Sequence, residues 1–198
     1  MDNLCKLTSD KESAILINTM SSSTAEFIIL DTETTGLNPE LGDALVEIAG
    51  QRIRGTTVID QFCQVINPGI PCANGAAWVH GMSEEYIFRN GKPIKDVLPA
   101  FINFCGQTTL VGHNIIKFDL EFINNHLRQL GMQPMANPVI DTLHLARKKL
   151  ALRSYKLGDL AHHFKVEYSD AHRALRDVEI TREIFYHLAG YKNSGSLF

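Results

Sequence analysis

Apolar residues come in short unbroken runs over the first third of the chain and at helical spacing after it. The run Phe27 to Leu30 in "EFIILD" has no polar interruption and predicts a central strand buried on both faces. "ALVEIAGQRIRG" and "TTVIDQFCQVINP" follow, rich in β-branched residues and closed by Gly or Asn-Pro-Gly, and predict two more strands in an antiparallel meander. Past "NPGIP" the period changes. "AAWVHGMSEEYIF" and "KPIKDVLPAFINFCG" predict short helices, the second interrupted near Pro99. "TTLVGH" predicts a strand, "NIIKFDLEFINNHLRQLG" a helix with Asn114 as its N-cap, and "PVID" a strand. "TLHLARKKL", "KLGDLAHHF" and "AHRALRDVEITREIFYHLAG" predict three helices, the last capped by Ser169 or Asp170, while Gly131 and Gly190 stand where helices stop. Three meander strands followed by alternating helices and strands make an α/β domain, a mixed sheet with helices on its faces.

Composition bounds this picture. With 198 residues, 44% hydrophobic and 21% charged, the chain fits one domain with a substantial core. Residues 1–24 end in "SSST" and read as a loosely ordered N-terminal extension, 25–190 as the compact domain and 191–198 as a tail. The apolar run "AILI" is too short for a signal or a membrane span, so a soluble cytoplasmic protein with no membrane partner is expected. Cys5, Cys63, Cys72 and Cys105 are scattered without metal-site spacing and read as packing or surface thiols. The net charge of −3 argues against a broad basic surface that coats nucleic acid, so a polyanionic substrate needs a local source of positive charge.

Chemistry enters with the acids. Asp31 and Glu33 lie two apart on the first strand, so both project to one face at its C-terminal end, where open α/β sheets bind ligands. Paired carboxylates repel, and one neutralises unless a cation sits between them; oxygen ligands suit Mg²⁺ or Mn²⁺. Asp119 near the start of one helix and Asp177 early in the last one also interrupt apolar faces.

D-T-E-T-T-G, then H-N-x-x-x-F-D, then H-x-x-x-x-D, in this order and at these separations, resemble the three motifs of the DEDDh family of 3′→5′ exonucleases. The likeness is strongest to the epsilon proofreading type of bacterial DNA polymerase III and spans about residues 26 to 190. The resemblance implies a ribonuclease-H-like fold, with Asp31, Glu33, Asp119 and Asp177 as ligands of two Mg²⁺ or Mn²⁺ ions. Two such ions would take the formal charge from −3 to +1 and put the positive charge where a phosphate must go. It also implies hydrolysis at single-stranded DNA 3′ ends in proofreading or repair, releasing nucleoside 5′-monophosphates. An RNA-trimming exoribonuclease and a catalytically silent nucleic-acid-binding module are the alternatives.

His172 precedes Asp177 by five residues, about 500° around a helix of 3.6 residues per turn, which places it on the loop or first turn before the helix. The family assigns that histidine the role of general base, work suited to a side chain that ordinarily titrates near neutrality. By the same resemblance Thr34, Leu37, Ala76, Val79, His80, Asn114 and Phe118 border the terminal nucleotide. His126, His144, His162, His163 and His187 match no motif. Asp141 reads as a helix cap, and Glu47, inside "ALVEIAG", has no assignable chemistry. The cluster Arg147, Lys148, Lys149, Arg153 and Lys156 reads as a solvated helix face, with a nucleic-acid backbone contact as its alternative. Epsilon-type proteins continue into a linker and a polymerase-docking segment, whereas this sequence ends in "YKNSGSLF"; a partnership with DNA polymerase III or a sliding clamp and stand-alone repair are both expected possibilities.

Overall fold

The computed structural model describes residues 24–72, 80–169 and 172–191. The expectations for the N-terminal extension, for Ala76, Val79 and Asp170, and for nearly all of the tail lie outside the described residues.

Strand β1 (Glu26–Thr34) is flanked by β2 (Leu45–Arg54) and β5 (Thr109–Gly112) inside a six-stranded sheet of order β4-β3-β2-β1-β5-β6, in which β3 is Thr57–Asn67, β4 Lys92–Pro93 and β6 Val139–Asp141. β1, β2 and β3 form the antiparallel meander, and β5 and β6 run parallel to β1. Among the described residues, the helices are α1 (Glu84–Asn90), α2 (Ile94–Cys105), α3 (Asp119–Gln129), α4 (Thr142–Lys149), α5 (Leu157–Phe164) and α6 (Ala174–Ala189).

The alternation of β1 sorts its side chains between two helical layers. Ile28 and Leu30 pack with Leu98 and Phe101 of α2 and Phe122 and Ile123 of α3. Phe27 and Ile29 face the other way, onto Val178 and Phe185 of α6, with the Phe27 and Phe185 rings edge-on at 5.3 Å. Both layers bury these side chains completely or nearly so, each contributing about 1.5–3 kcal/mol, which holds β1 firmly beneath the site. Ala146 of α4 and Leu160 and Ala161 of α5 pack on Ile180, Ile184 and Leu188 of α6, so the α4–α5 pair rides on the last helix. Among the described residues no helix is long and apolar enough to cross a membrane.

Three local expectations are corrected. α2 runs unbroken through Pro99: the lost N–H removes one backbone bond, while Leu98 and Phe101 on either side are fully buried and hold the helix together. Of the segment expected as the first helix, residues 76–79 lie outside the described residues; α1 begins at Glu84, after Gly81 in the left-handed region (φ 67°), and the Ser83 hydroxyl caps it by accepting the Tyr86 N–H at 3.1 Å. α3 begins at Asp119, not after Asn114; Asn114 is itself left-handed (φ 61°), and its carbonyl accepts the N–H groups of Lys117 and Phe118 in a tight turn. α6 begins at Ala174 without a cap from Ser169, whose hydroxyl instead donates to Glu167.

Candidate active site

Asp31 and Glu33 continue the Phe27–Ile29 face of β1, so the sheet that buries the apolar pair also fixes the acids. The ladder slips at the end of β1, where Glu33 pairs with Glu47 but Thr34 pairs with Leu45. This bulge leaves Val46 as an extra residue on β2 and bends the strand end next to the carboxylates. The threonines of the motif hold the strand's exit. Thr34 donates to the Gly36 carbonyl at 2.6 Å, and Thr35 pairs with Ala44 through both backbone and hydroxyl. A Cβ at Gly36 would overlap the Asp43 carboxylate, so a larger residue there would displace the group that accepts the Asn38 N–H.

Asp177, on the first turn of α6, completes a trio with Asp31 and Glu33 in which one oxygen from each lies within 4.8 Å of the others. Asp119 enters from the α3 side and stands outside that trio. The hydroxyl of Thr32, on the opposite face of β1 from Asp31, donates to its Oδ1 at 2.7 Å. Thr32 is thus a site residue that the motif spelling did not reveal, since only the fold shows where its hydroxyl points.

The four acids and His172 line one cleft of about 570 Å³. Burial raises the pKa of all four acids, and at Asp31 and Glu33 the neighbouring carboxylates push it further. Asp31 is raised well above its usual value by burial and then by Asp119, Glu33 and Asp177. Glu33 is pushed to about 8 by burial and by the charges of Asp177 and Glu47. Asp119 reaches about 7, burial outweighing the hydrogen bond from Thr32 that favours its charged form. Asp177 rises through burial, opposed by the backbone bond from His172.

His172 sits two residues before α6 in the left-handed region (φ 73°), and its N–H donates to Asp177 Oδ2 at 3.2 Å. The anchor of this segment is Glu47. Its buried carboxylate accepts Arg173 Nε at 3.1 Å and Nη2 at 2.6 Å, and also takes the Ala174 N–H at 2.9 Å. A residue of β2 therefore caps α6 and holds the chain beside His172. No local signal in the sequence marks this role of Glu47, because its partners lie 126 and 127 positions away. Asp141 caps α4 as expected, accepting the Leu143 N–H at 3.0 Å, and also takes the Asn114 N–H at 3.0 Å, which ties the turn before Asp119 to β6.

Of the residues expected around the nucleotide, Asn114 and Phe118 line the cleft, whereas Thr34, Leu37 and His80 do not. Leu37 is 83% exposed on the loop after β1. His80 is buried, with Nδ1 accepting the Met82 N–H at 3.2 Å and Nε2 facing Cys72 Sγ at 3.7 Å. Protein groups thus face both ring nitrogens of His80. From the basic cluster, Arg147, Arg153 and Lys156 line the cleft; Lys148 and Lys149 do not.

The acids fit a divalent cation. Asp177 Oδ1 is buried and has no hydrogen-bond partner among the described residues, and three carboxylates sharing one small volume offer only oxygen donors.

Comparison with known proteins gives a consistent result. A family model described as "Exonuclease" matches residues 28–185. The DNA polymerase III subunit epsilon of Aquifex aeolicus is 33% identical over 161 residues, 80% of this chain and 78% of that protein. A PolC-type DNA polymerase III of Caldanaerobacter subterraneus is 36% identical over 166 residues, 83% of this chain; the chain spans only 12% of that protein's length. Among solved structures, E. coli exonuclease I in complex with a dT13 oligonucleotide superposes with a TM-score of 0.77 at 23% identity, over 83% of this chain and 41% of that one. That likeness identifies the fold as ribonuclease-H-like, as the motifs implied.

Proposed function

Because the chain belongs to the exonuclease family, we propose that it is a metal-dependent 3′→5′ exonuclease that removes nucleoside 5′-monophosphates from single-stranded DNA. The observation that carries this reading is the convergence of Asp31, Glu33, Asp119 and Asp177, from two faces of the sheet, in one cleft with His172. Asp31, Glu33 and Asp177 would hold one Mg²⁺ or Mn²⁺, with Asp119 beside Asp31 extending the set to a second. Bound there, the ions would acidify the attacking water and stabilise charge on the phosphate and the leaving 3′-oxygen.

The protein's own groups do the rest. His172 takes the proton of the attacking water; its backbone is pinned by Asp177 and, two residues on at Ala174, by Glu47, while its ring remains exposed toward the cleft. Thr32 keeps Asp119 aimed at the floor. Phe118 offers a ring face and Asn114 a polar edge to the terminal nucleoside, and the exposed Leu37 is available as a wedge against its base. Thr34, Ala76 and Val79 join this set on the resemblance alone.

End-labelled DNA and RNA of one sequence, incubated with Mn²⁺, test the reading. Stepwise release of deoxynucleoside 5′-monophosphates from the 3′ end is expected. A strong preference for RNA replaces it with RNA trimming, and binding without cleavage leaves a silent binding module. The relatives are polymerase III proteins, so a replicative polymerase and its clamp are the partners to seek by pull-down.

A further inference from the structure

One wall of the cleft has charge that the chemistry at the floor does not use. Arg147, at the end of α4, and Arg153 and Lys156, on the α4–α5 connection, are exposed along this wall, and among the described residues none forms an ion pair with a carboxylate. Asp159, the acid beside the connection, is occupied by the Ser154 hydroxyl.

The connection is held in shape. The Tyr155 hydroxyl donates to the Leu150 carbonyl at 2.9 Å and accepts the Leu152 N–H at 3.1 Å, closing the loop on itself. The Arg147 guanidinium lies over the Tyr155 ring at 6.0 Å. His113, at the end of β5, bonds the Tyr155 backbone and meets Thr142 Oγ1 at 3.0 Å, which ties the loop to the sheet that carries the acids. Two cations on a braced loop and a third on the helix end beside it, lining one cleft and forming no ion pair with a carboxylate among the described residues, are arranged for an extended polyanion and not for a single small one.

Resting on the exonuclease reading, we propose that Arg147, Arg153 and Lys156 form a track for the backbone phosphates upstream of the scissile one. The track reads charge alone. Contacts confined to phosphate oxygens carry no information about the base or the 2′-hydroxyl, so the track is blind to both.

The test is the salt dependence of binding. Fluorescein-labelled dT20 and U20 are titrated by anisotropy, with Ca²⁺ in place of the catalytic ion, against wild type, R147A/R153A/K156A and K148A/K149A. Each lost contact to a single strand flattens the slope of log K against log salt by about 0.7, so the triple variant's slope is shallower by about 2, and a fourfold rise in salt weakens wild type about twentyfold more than the variant. Equal flattening for DNA and RNA is expected, with K148A/K149A matching wild type. An unchanged slope in the triple variant, an equal loss in K148A/K149A, or a loss confined to one sugar overturns the track. A second readout compares kcat/KM on dT20 with that on thymidine 5′-phosphate p-nitrophenyl ester, which has no upstream phosphate. The ratio is expected to fall in the triple variant; equal falls on both substrates place the residues at the reacting centre and overturn the proposal. If wild type with Mn²⁺ cleaves neither substrate, the exonuclease reading fails, while the binding slopes still decide the track.

Discussion

The floor and the wall of the cleft carry opposite charge and solve opposite problems. On the floor, Asp31, Glu33, Asp119 and Asp177 are crowded and largely desolvated, so their charges are expensive and their pKa values rise. On the wall, Arg147, Arg153 and Lys156 are in water, and each charge is cheap and screened. The difference teaches that burial decides ligand and magnitude alike. The floor calls for compact divalent ions and tolerates almost no change, whereas the wall suits a long, weakly held polyanion and yields to salt.

The largest effect belongs to the floor. Asp31→Asn removes a ligand while keeping its shape, and several kcal/mol of charge stabilisation go with it, lowering kcat/KM about a thousandfold. The same change relieves repulsion, so the metal-free variant should melt above wild type while its Mn²⁺-induced rise in Tm disappears. A variant that keeps the Mn²⁺ shift contradicts the assignment.

His172→Ala separates chemistry from metal holding. Loss of the base should lower kcat by about 10²–10³, with the Mn²⁺-induced Tm shift retained. A lost shift would instead make His172 a ligand.

Glu47→Ala probes the anchor between the two regions. It orphans the Ala174 N–H and frees Arg173, and because that side chain is 44% exposed its charge falls back on water, so the stability loss is about 1–3 kcal/mol. kcat should fall about tenfold as the chain beside His172 loosens, with KM changing little, and Glu47→Gln, which keeps an acceptor for Ala174, should recover part of the rate. Loss of stability with kcat intact would reduce Glu47 to a structural brace.

The last probe of the floor is the pH dependence of the metal-free fold. The folded pKa values of Glu33, about 8, and Asp119, about 7, stand above the ordinary 4.5 and 3.8, so the folded state keeps protons that the unfolded chain has released. The stabilisation is complete below the unfolded values and is lost as pH rises through the folded ones. Without divalent ion, Tm should therefore fall from about pH 5 to 8, and Mn²⁺ should remove the slope. A metal-free Tm rising over that window would contradict the buried charge of the floor.

The sheet and the acids were legible in sequence because both rest on local signals: the unbroken run at Phe27–Leu30, the period change after the meander, and carboxylates set into apolar faces. Helix starts were less legible. Asn114 has the composition of an N-cap, but its left-handed backbone serves a turn whose geometry Asp141 fixes from another strand. Thr32 and Glu47 stayed hidden for the same reason, since each acts on a residue about 90 to 130 positions away. The basic cluster was visible as composition, yet only the Tyr155 loop separates the three cations on the cleft from the two that point elsewhere.

The dependence of cleavage on a cation held by the floor is tested most directly by titrating Mn²⁺ into EDTA-stripped protein. Calorimetry counts the ions, and parallel samples follow shortening of a 5′-labelled single-stranded oligonucleotide. About two ions per chain should bind with release of protons, and stepwise shortening should begin over the same Mn²⁺ range and vanish in Asp31→Asn. Shortening that persists without divalent ion, or tight Mn²⁺ binding that Asp31→Asn leaves intact, would contradict it.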